Sequence, residues 1–301
     1  DVLFAGREVK AVSRSFESFW NDTLSIPFEK LVSPRKRKNQ KDKFQRLHAY
    51  ACDNENFSEL MRNKVRQFPQ HFQKNMQSGK TVWVKEASFV SDEPGKNRDR
   101  PGDKGGVCTD SLITLLLQAK KTVDIQSPYV IFTEQGYELF TSLVNRGVKV
   151  RILTNSLGST DNHEAFSGYQ RDREKILATG IELYEFKPNA PARLNVMVHE
   201  VQAALSYTPT YGMHSKTMVI DGRTAVIGSF NLDPRSANLN TECVLITRSE
   251  EVVKNLMPYL EAEMQPANAW RITPDFNPDK EAGPRKRVKM NSRKAIPKRV
   301  L

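Results

Sequence analysis

From about residue 108 to residue 264, helical apolar periods alternate with short β-branched runs, and no other feature constrains the fold as strongly. A helix over about 108–121 leads into a strand at Val123–Ser127. A helix over 134–145, ended by Gly147, leads into a strand at Val148–Thr154. A third helix, over about 163–178, stops at Gly180 before a strand at Ile181–Phe186. Two further strands flank Asp221–Gly222, a dipeptide favoured in two-residue hairpins. Cys243–Thr247 and a helix over 249–264 complete the pattern. Such alternation predicts an α/β fold: a mixed, largely parallel sheet flanked by helices, with His214 at the sheet's edge.

The flanks read differently. Val2–Ala5 reads as a strand end, and residues 7–20 as an amphipathic helix with Val9, Val12, Phe16, Phe19 and Trp20 at helical spacing. Residues 34–76 are polar, basic and partly helical. Residues 91–106 form a Pro/Gly/charge loop and the best internal boundary. Residues 187–212 are irregular.

Composition matters chiefly through charge. With 38% hydrophobic and 27% charged residues, the chain is globular rather than fibrous or wholly disordered. No apolar run approaches a membrane span, and Leu112–Leu117 is the longest. There is no charged-then-apolar leader, and the first residue is Asp1, so the chain reads as a piece of a longer one. Its net charge of +11 is concentrated: residues 35–43 carry six Lys/Arg and one Asp, and residues 284–301 carry eight and no acid. The remainder is near neutral. The two basic segments suit phosphate-rich partners, an anionic membrane surface or nucleic acid; alternatively they are a solvated linker and tail. Neither has the interleaved aromatics of a single-strand stacking platform, which favours lipid. Cys52, Cys108 and Cys243 lie far apart with no CxxC pair, against a disulfide framework or a cysteine zinc site.

The chemistry is concentrated in residues 211–242, YGMHSKTMVIDGRTAVIGSFNLDPRSANLNTE. On a strand, residues two apart share a face, so His214 and Lys216 would point into one site. An imidazole can act as nucleophile or as acid–base near neutral pH, and a lysine beside it neutralises phosphate oxygens. Gly228 would let backbone approach a substrate, while Ser229 and Asn231 would bind phosphate as hydrogen-bond donors. Asp221 follows on a turn, where either a chemical or a structural role is open. A carboxylate at Glu242 could accept the other ring N–H of His214 and orient it. Asn155 and Tyr169 sit after a strand and on the next helix, where ligands often approach, and a core or surface role is equally open for both. These parts suit phosphoryl displacement without a metal or other cofactor. Six specified positions at about 5% usage each coincide by chance roughly once in 10⁷–10⁸ starts.

The segment resembles the HxKxxxxDxxxxxxGSxN signature of the phospholipase D superfamily. Residues 107–265, including SPYVIFTEQGYELFTSLVNRGVKVRILTNSLGSTD, look like bacterial cardiolipin synthases and their relatives. Residues 1–33 more weakly resemble the end of a first such half. The implied organisation is that remnant at 1–33, a basic linker over 34–106, a second half at 107–265 and a basic tail at 266–301. The resemblance implies metal-independent phosphatidyl transfer between phospholipids through a phosphohistidine, at the face of a bacterial inner membrane. Two motif-bearing halves meet in one site, with the first-half histidine more often the nucleophile and His214 the general acid and then base. His48, His71, His163 and His199 are not followed by lysine two residues on, so one motif is present. The partner would be a missing first half or a second copy, and the unpaired chain is expected to be nearly inactive. The alternatives are a homodimeric single-motif phosphodiesterase acting on nucleic acid, and a phospholipase D hydrolysing phospholipid.

Overall fold

The computed structural model describes residues 2–57, 59–78, 81–96, 98, 105–193 and 212–291. The chain divides into two compact units, Asp1–Ser18 with Val84–Leu301, and Phe19–Trp83. The smaller unit holds two long helices, Pro34–Cys52 and Glu59–Gln77, joined by a turn at Asn54–Asn56. The Asp53 side chain accepts from the Glu55 amide at 3.0 Å, and Arg62 pairs with Glu55 at 3.1 Å, which fixes that turn. The basic run 35–43 thus falls on a helix.

The larger unit is built on one eight-stranded sheet. Its strands are β1 (Ala87–Ser91), β2 (Thr122–Gln126), β3 (Lys149–Asn155), β4 (Glu182–Phe186), β5 (Thr217–Ile220), β6 (Thr224–Gly228), β7 (Cys243–Arg248) and β8 (Ala269–Arg271). Across the sheet the order is β1-β7-β6-β5-β2-β3-β4-β8. The fold is α/β with a mixed sheet flanked by helices, as expected. The parallel share is smaller than predicted. Only β2 with β3 and β3 with β4 run parallel; the other five pairings are antiparallel. A parallel neighbour needs a crossover helix, and the two such pairs use Glu134–Asn145 and His163–Ala178. The β5–β6 turn has no room for one. Asp221 and Gly222 both take positive φ, +53° and +66°, and fold β6 straight back on β5.

Local chemistry explains the helices. Thr133 accepts from the Gly136 amide at 3.1 Å and Asn162 from Ala165 at 3.0 Å, each side chain satisfying an otherwise unpaired N–H of the first turn. Residues alternate across the sheet. Ile125, Ile152, Met218 and Ile220 join the main core, where Leu112, Leu116, Leu143 and Ile176 also lie. Leu153 and Val219 face the other side, where helix Glu250–Met264 brings Val253, Leu260 and Met264. Each fully buried side chain of this kind contributes about 1.5–3 kcal/mol. Both faces are therefore covered, and only the strand ends remain for chemistry.

The sheet reaches beyond the span 107–265. β1 comes from the stretch read as linker and β8 from the stretch read as tail. Arg173 bonds to Asp279 at 2.8 Å, Met290 is buried, and Lys286 donates to the Gly158 carbonyl at 2.6 Å. Part of the basic tail thus belongs to the folded body; residues 292–301 lie outside the described residues, as do 194–211. Val2–Ala5 is not a strand, since no neighbour pairs with it among the described residues. No helix among them is long and apolar enough to cross a membrane.

Candidate active site at one end of the β5–β6 hairpin

His214 and Lys216 lie just before β5, a central strand, rather than at a lateral edge of the sheet. The Gly228 amide donates to the Lys216 carbonyl at 3.2 Å, carrying the β5–β6 ladder one step past the strand. By that register, Ser229 lies opposite Ser215. The approach to His214 is clamped. Asn155, at the end of β3, accepts from the Met213 amide at 2.9 Å and donates to the Met213 carbonyl at 2.7 Å. Ser159 Oγ donates to Asn155 Oδ1 at 3.1 Å. A Cβ on Gly212 would lie 2.6 Å from the Ser159 carbonyl oxygen, so the chain passes there only as glycine. Met213 is buried while the next residue, His214, is exposed: a rigid backbone presents a free imidazole.

The His214 ring stands edge-on to Tyr129, with centroids 6.0 Å apart, and the Tyr129 hydroxyl donates to Asp161 at 3.1 Å. Lys216 Nζ donates to the His214 carbonyl at 3.0 Å. Burial and then the Lys216 charge hold the imidazole below its usual value, against the pull of Asp161. Burial also lowers Lys216, which Glu242, Asp161 and Asp233 oppose. The Lys216 ammonium thus has three carboxylates around it, and the His214 ring lies on the same short segment.

Ser229 and Asn231 sit at the same end, with altered detail. The Ser229 hydroxyl donates to Glu242 and accepts from the Cys243 amide at 3.0 Å, so its proton is already engaged. The Asn231 side-chain oxygen is buried and has no hydrogen-bond partner among the described residues. Glu242 takes the Ser229 and Ser236 hydroxyls, the latter at 2.7 Å, rather than the His214 ring. The orienting role expected of it passes to the loop: Glu242 binds two hydroxyls that shape residues 229–236. Behind it, Asp92 accepts from the Glu242 amide at 2.9 Å and pairs with buried Lys96 at 2.8 Å.

Two expectations change. Asp221 lies at the opposite end of β5, seven residues from His214, or about 23 Å along an extended chain. There its carboxylate accepts from the amides of Lys120 (2.9 Å), Lys121 (2.7 Å) and Thr122 (3.0 Å), and these bonds hold it below the ordinary range despite some burial. It is an architectural residue, too distant for chemistry at His214. Gly228 faces protein, not substrate: a Cβ would meet the Cys243 carbonyl oxygen at 2.2 Å and Val244 Cα at 2.7 Å. Tyr169 is buried and donates to Glu185 at 2.7 Å, a core role. Tyr129, Asp161 and Ser236 were not singled out from sequence. Tyr129 follows β2, at the strand ends where ligands gather in such sheets, and that position was the available signal. Among the described residues no cluster of three or more His, Cys, Asp or Glu is arranged to hold a metal ion.

Residues 112–264 match the family described as "Cardiolipin synthase, PLD-like domain". An uncharacterized protein of Helicobacter pylori strain J99 is 28% identical over 272 residues, 90% of this chain and 51% of that protein. Cardiolipin synthase C of Escherichia coli K12 is 34% identical over 194 residues, 64% of this chain and 40% of that one. The chain thus spans about half the length of the curated relatives it matches. Among solved structures, the phospholipase D family member Nuc from Salmonella typhimurium aligns with a TM-score of 0.43 at 18% identity, over 62% of this chain and all of Nuc. Since the matched span makes up just over half of the chain and contains the hairpin with both of its ends, the chain belongs to the phospholipase D superfamily, with a PLD-like domain of the cardiolipin synthase family.

Proposed function

We propose that this chain supplies one of two half-sites of an enzyme that transfers a phosphatidyl group to the hydroxyl of a second lipid. The observation that carries the reading is an exposed His214 side chain two residues from Lys216, at the end of a segment clamped by Asn155. A histidine from a second half, in the same protein or another copy, attacks phosphorus with its nitrogen lone pair. The P–O bond to the leaving alcohol breaks, and that oxygen takes a proton from His214. Neutral His214 then takes the proton of the incoming alcohol, whose oxygen attacks phosphorus while the P–N bond breaks. The proton and both histidines are restored. Burial and the Lys216 charge favour the neutral ring in the empty site, while an anionic diester beside it favours the imidazolium, the form that donates the proton. Lys216 offsets charge on the non-bridging oxygens, and the Asn231 side chain, at the same end, donates to them. The basic segments around 35–43 and 284–301 suit an anionic membrane face, where both lipids lie.

The test offers the full chain, alone and with a second motif-bearing half, phosphatidylglycerol vesicles and plasmid DNA in parallel. Lipid transfer that persists with a chelator and disappears in His214→Ala is the expected result. The unpaired monomer keeps the general acid but lacks the attacking histidine, so it should show no lipid transfer above background. Cleavage of DNA without lipid turnover would overturn the reading in favour of a nuclease.

A further inference from the structure

We infer that a groove behind the GSxN loop holds one acyl chain of the phospholipid, an inference that rests on the phosphatidyl-transfer reading and names how the site tells lipid from other phosphodiesters. The groove has a volume of about 470 Å³ and runs between helix Val107–Leu117 and the start of helix Glu134–Asn145. Its walls are aliphatic and aromatic: Leu112, Leu116, Ile131, Phe132, Leu139 and Phe140. Polar side chains such as Glu134, Asp233 and Asn238 also border it. This size and lining fall within the range of small-molecule sites, roughly 300–1,000 Å³ and mostly apolar.

Continuity with the phosphate end is the decisive feature. Phe230 and Leu232 line the groove, and they alternate in sequence with Ser229 and Asn231. An extended segment sends alternate side chains to opposite sides. One short loop therefore carries residues of the candidate phosphate site and apolar side chains that line the groove. A small void of about 10 Å³ lies between: Lys216, Gln126 and Ser127 border it, together with Leu112, Met218, Phe230 and Leu232 of the groove. A phosphatidyl group has this layout, an anionic diester with an alkyl chain a few bonds away. A nucleic acid would leave an aliphatic groove empty, and a protein partner would need a broad surface rather than a slot.

The test measures binding of lysophosphatidylglycerols of 8 to 14 acyl carbons, each below its micelle concentration, to the full chain. Glycerophosphoglycerol, which has no tail, serves as reference. Affinity should rise about fourfold per methylene, the ratio equivalent to ~0.8 kcal/mol for a buried CH₂. Ile113→Trp and Leu139→Trp, which fill the groove, should flatten that slope below about twofold per methylene while the reference ligand still binds. Leu139→Ala, which enlarges the groove without crowding the core, should extend the slope to longer chains. A slope unchanged in all three variants would overturn the groove and leave the phosphatidyl reading standing. Glycerophosphoglycerol binding that Lys216→Met leaves intact would sink that reading itself, whatever the slope. Sedimentation showing a wild-type dimer that Leu139→Trp converts to monomer would give the groove to a second copy and overturn the proposal.

Discussion

The two ends of the β5–β6 hairpin contain residues of one signature and are built to opposite specifications. At one end His214 is exposed and its ring takes no carboxylate, while the backbone beneath it is fixed by Asn155. At the other, Asp221 is bound by three backbone amides and Gly222 completes a tight turn. The first end keeps polar capacity unspent. The second spends all of it on joining β5 to the start of β2. Of the two roles left open for Asp221, the structure supports the architectural one, and its separation from the candidate chemical residues follows from strand geometry: seven extended residues span about 23 Å.

That contrast can be broken by substitution. The largest effect should come from His214→Ala, which in the paired enzyme should lower turnover by at least 10²–10⁴-fold. Because the ring is exposed and its neighbours hold the backbone without it, the unfolding midpoint should stay within a degree or so of wild type. A large stability loss would mean that this end is architectural too. Gly228→Ala should act in the reverse sense. Its methyl would collide with β7 backbone, so a loss of about 1–3 kcal/mol, or more if the strands cannot part, is expected in urea unfolding.

Asp221→Ala should cost about 1–2 kcal/mol, as expected for removing a side chain that caps backbone amides. Asp221→Asn should cost less, since asparagine tolerates positive φ and can still accept a bond. The pH dependence follows from the sign of the shift. The folded carboxyl lies below its ordinary value, so its stabilisation is full above the unfolded pKa and is lost as pH falls through the folded one. The gap between wild type and Asp221→Asn should therefore begin to close as pH falls below about 3.8, the ordinary carboxyl value, and keep closing down to the lower, folded one. The smallest effect concerns the chemical end. Lys216 pushes His214 down, so Lys216→Met should raise the midpoint of the His214 ring titration seen by NMR. A midpoint that stays still would mean that burial alone sets it.

Much of this was legible in sequence, for identifiable reasons. The helices Glu134–Asn145 and His163–Ala178 begin at capping residues and end near glycines, so local chemistry marks their limits. The hairpin turn was equally clear, because Asp-Gly has few other uses between β-branched runs. β1 was not legible: Ala87–Ser91 becomes a strand through pairing with β7, more than 150 residues away. β8 is three residues long and depends on β4 in the same way. The direction of pairing is a tertiary property, which is why the sheet looked more parallel than it is. At the candidate site, motif spacing is what singles out His214, Lys216, Ser229 and Asn231. The partners of Glu242 and the steric reason for Gly228 depend on contacts with β7 and Ser236 that no spacing reveals.

The division of the hairpin is tested most directly by titrating glycerophosphoglycerol into Lys216→Met and Asp221→Asn side by side, at a temperature where both are folded. If the ends differ as described, Lys216→Met should bind the diester at least about tenfold more weakly than wild type, in line with ~1.5–3 kcal/mol for a charge-assisted bond. Asp221→Asn should bind it as wild type does. Equal weakening in both variants, or weakening in Asp221→Asn alone, would contradict the division.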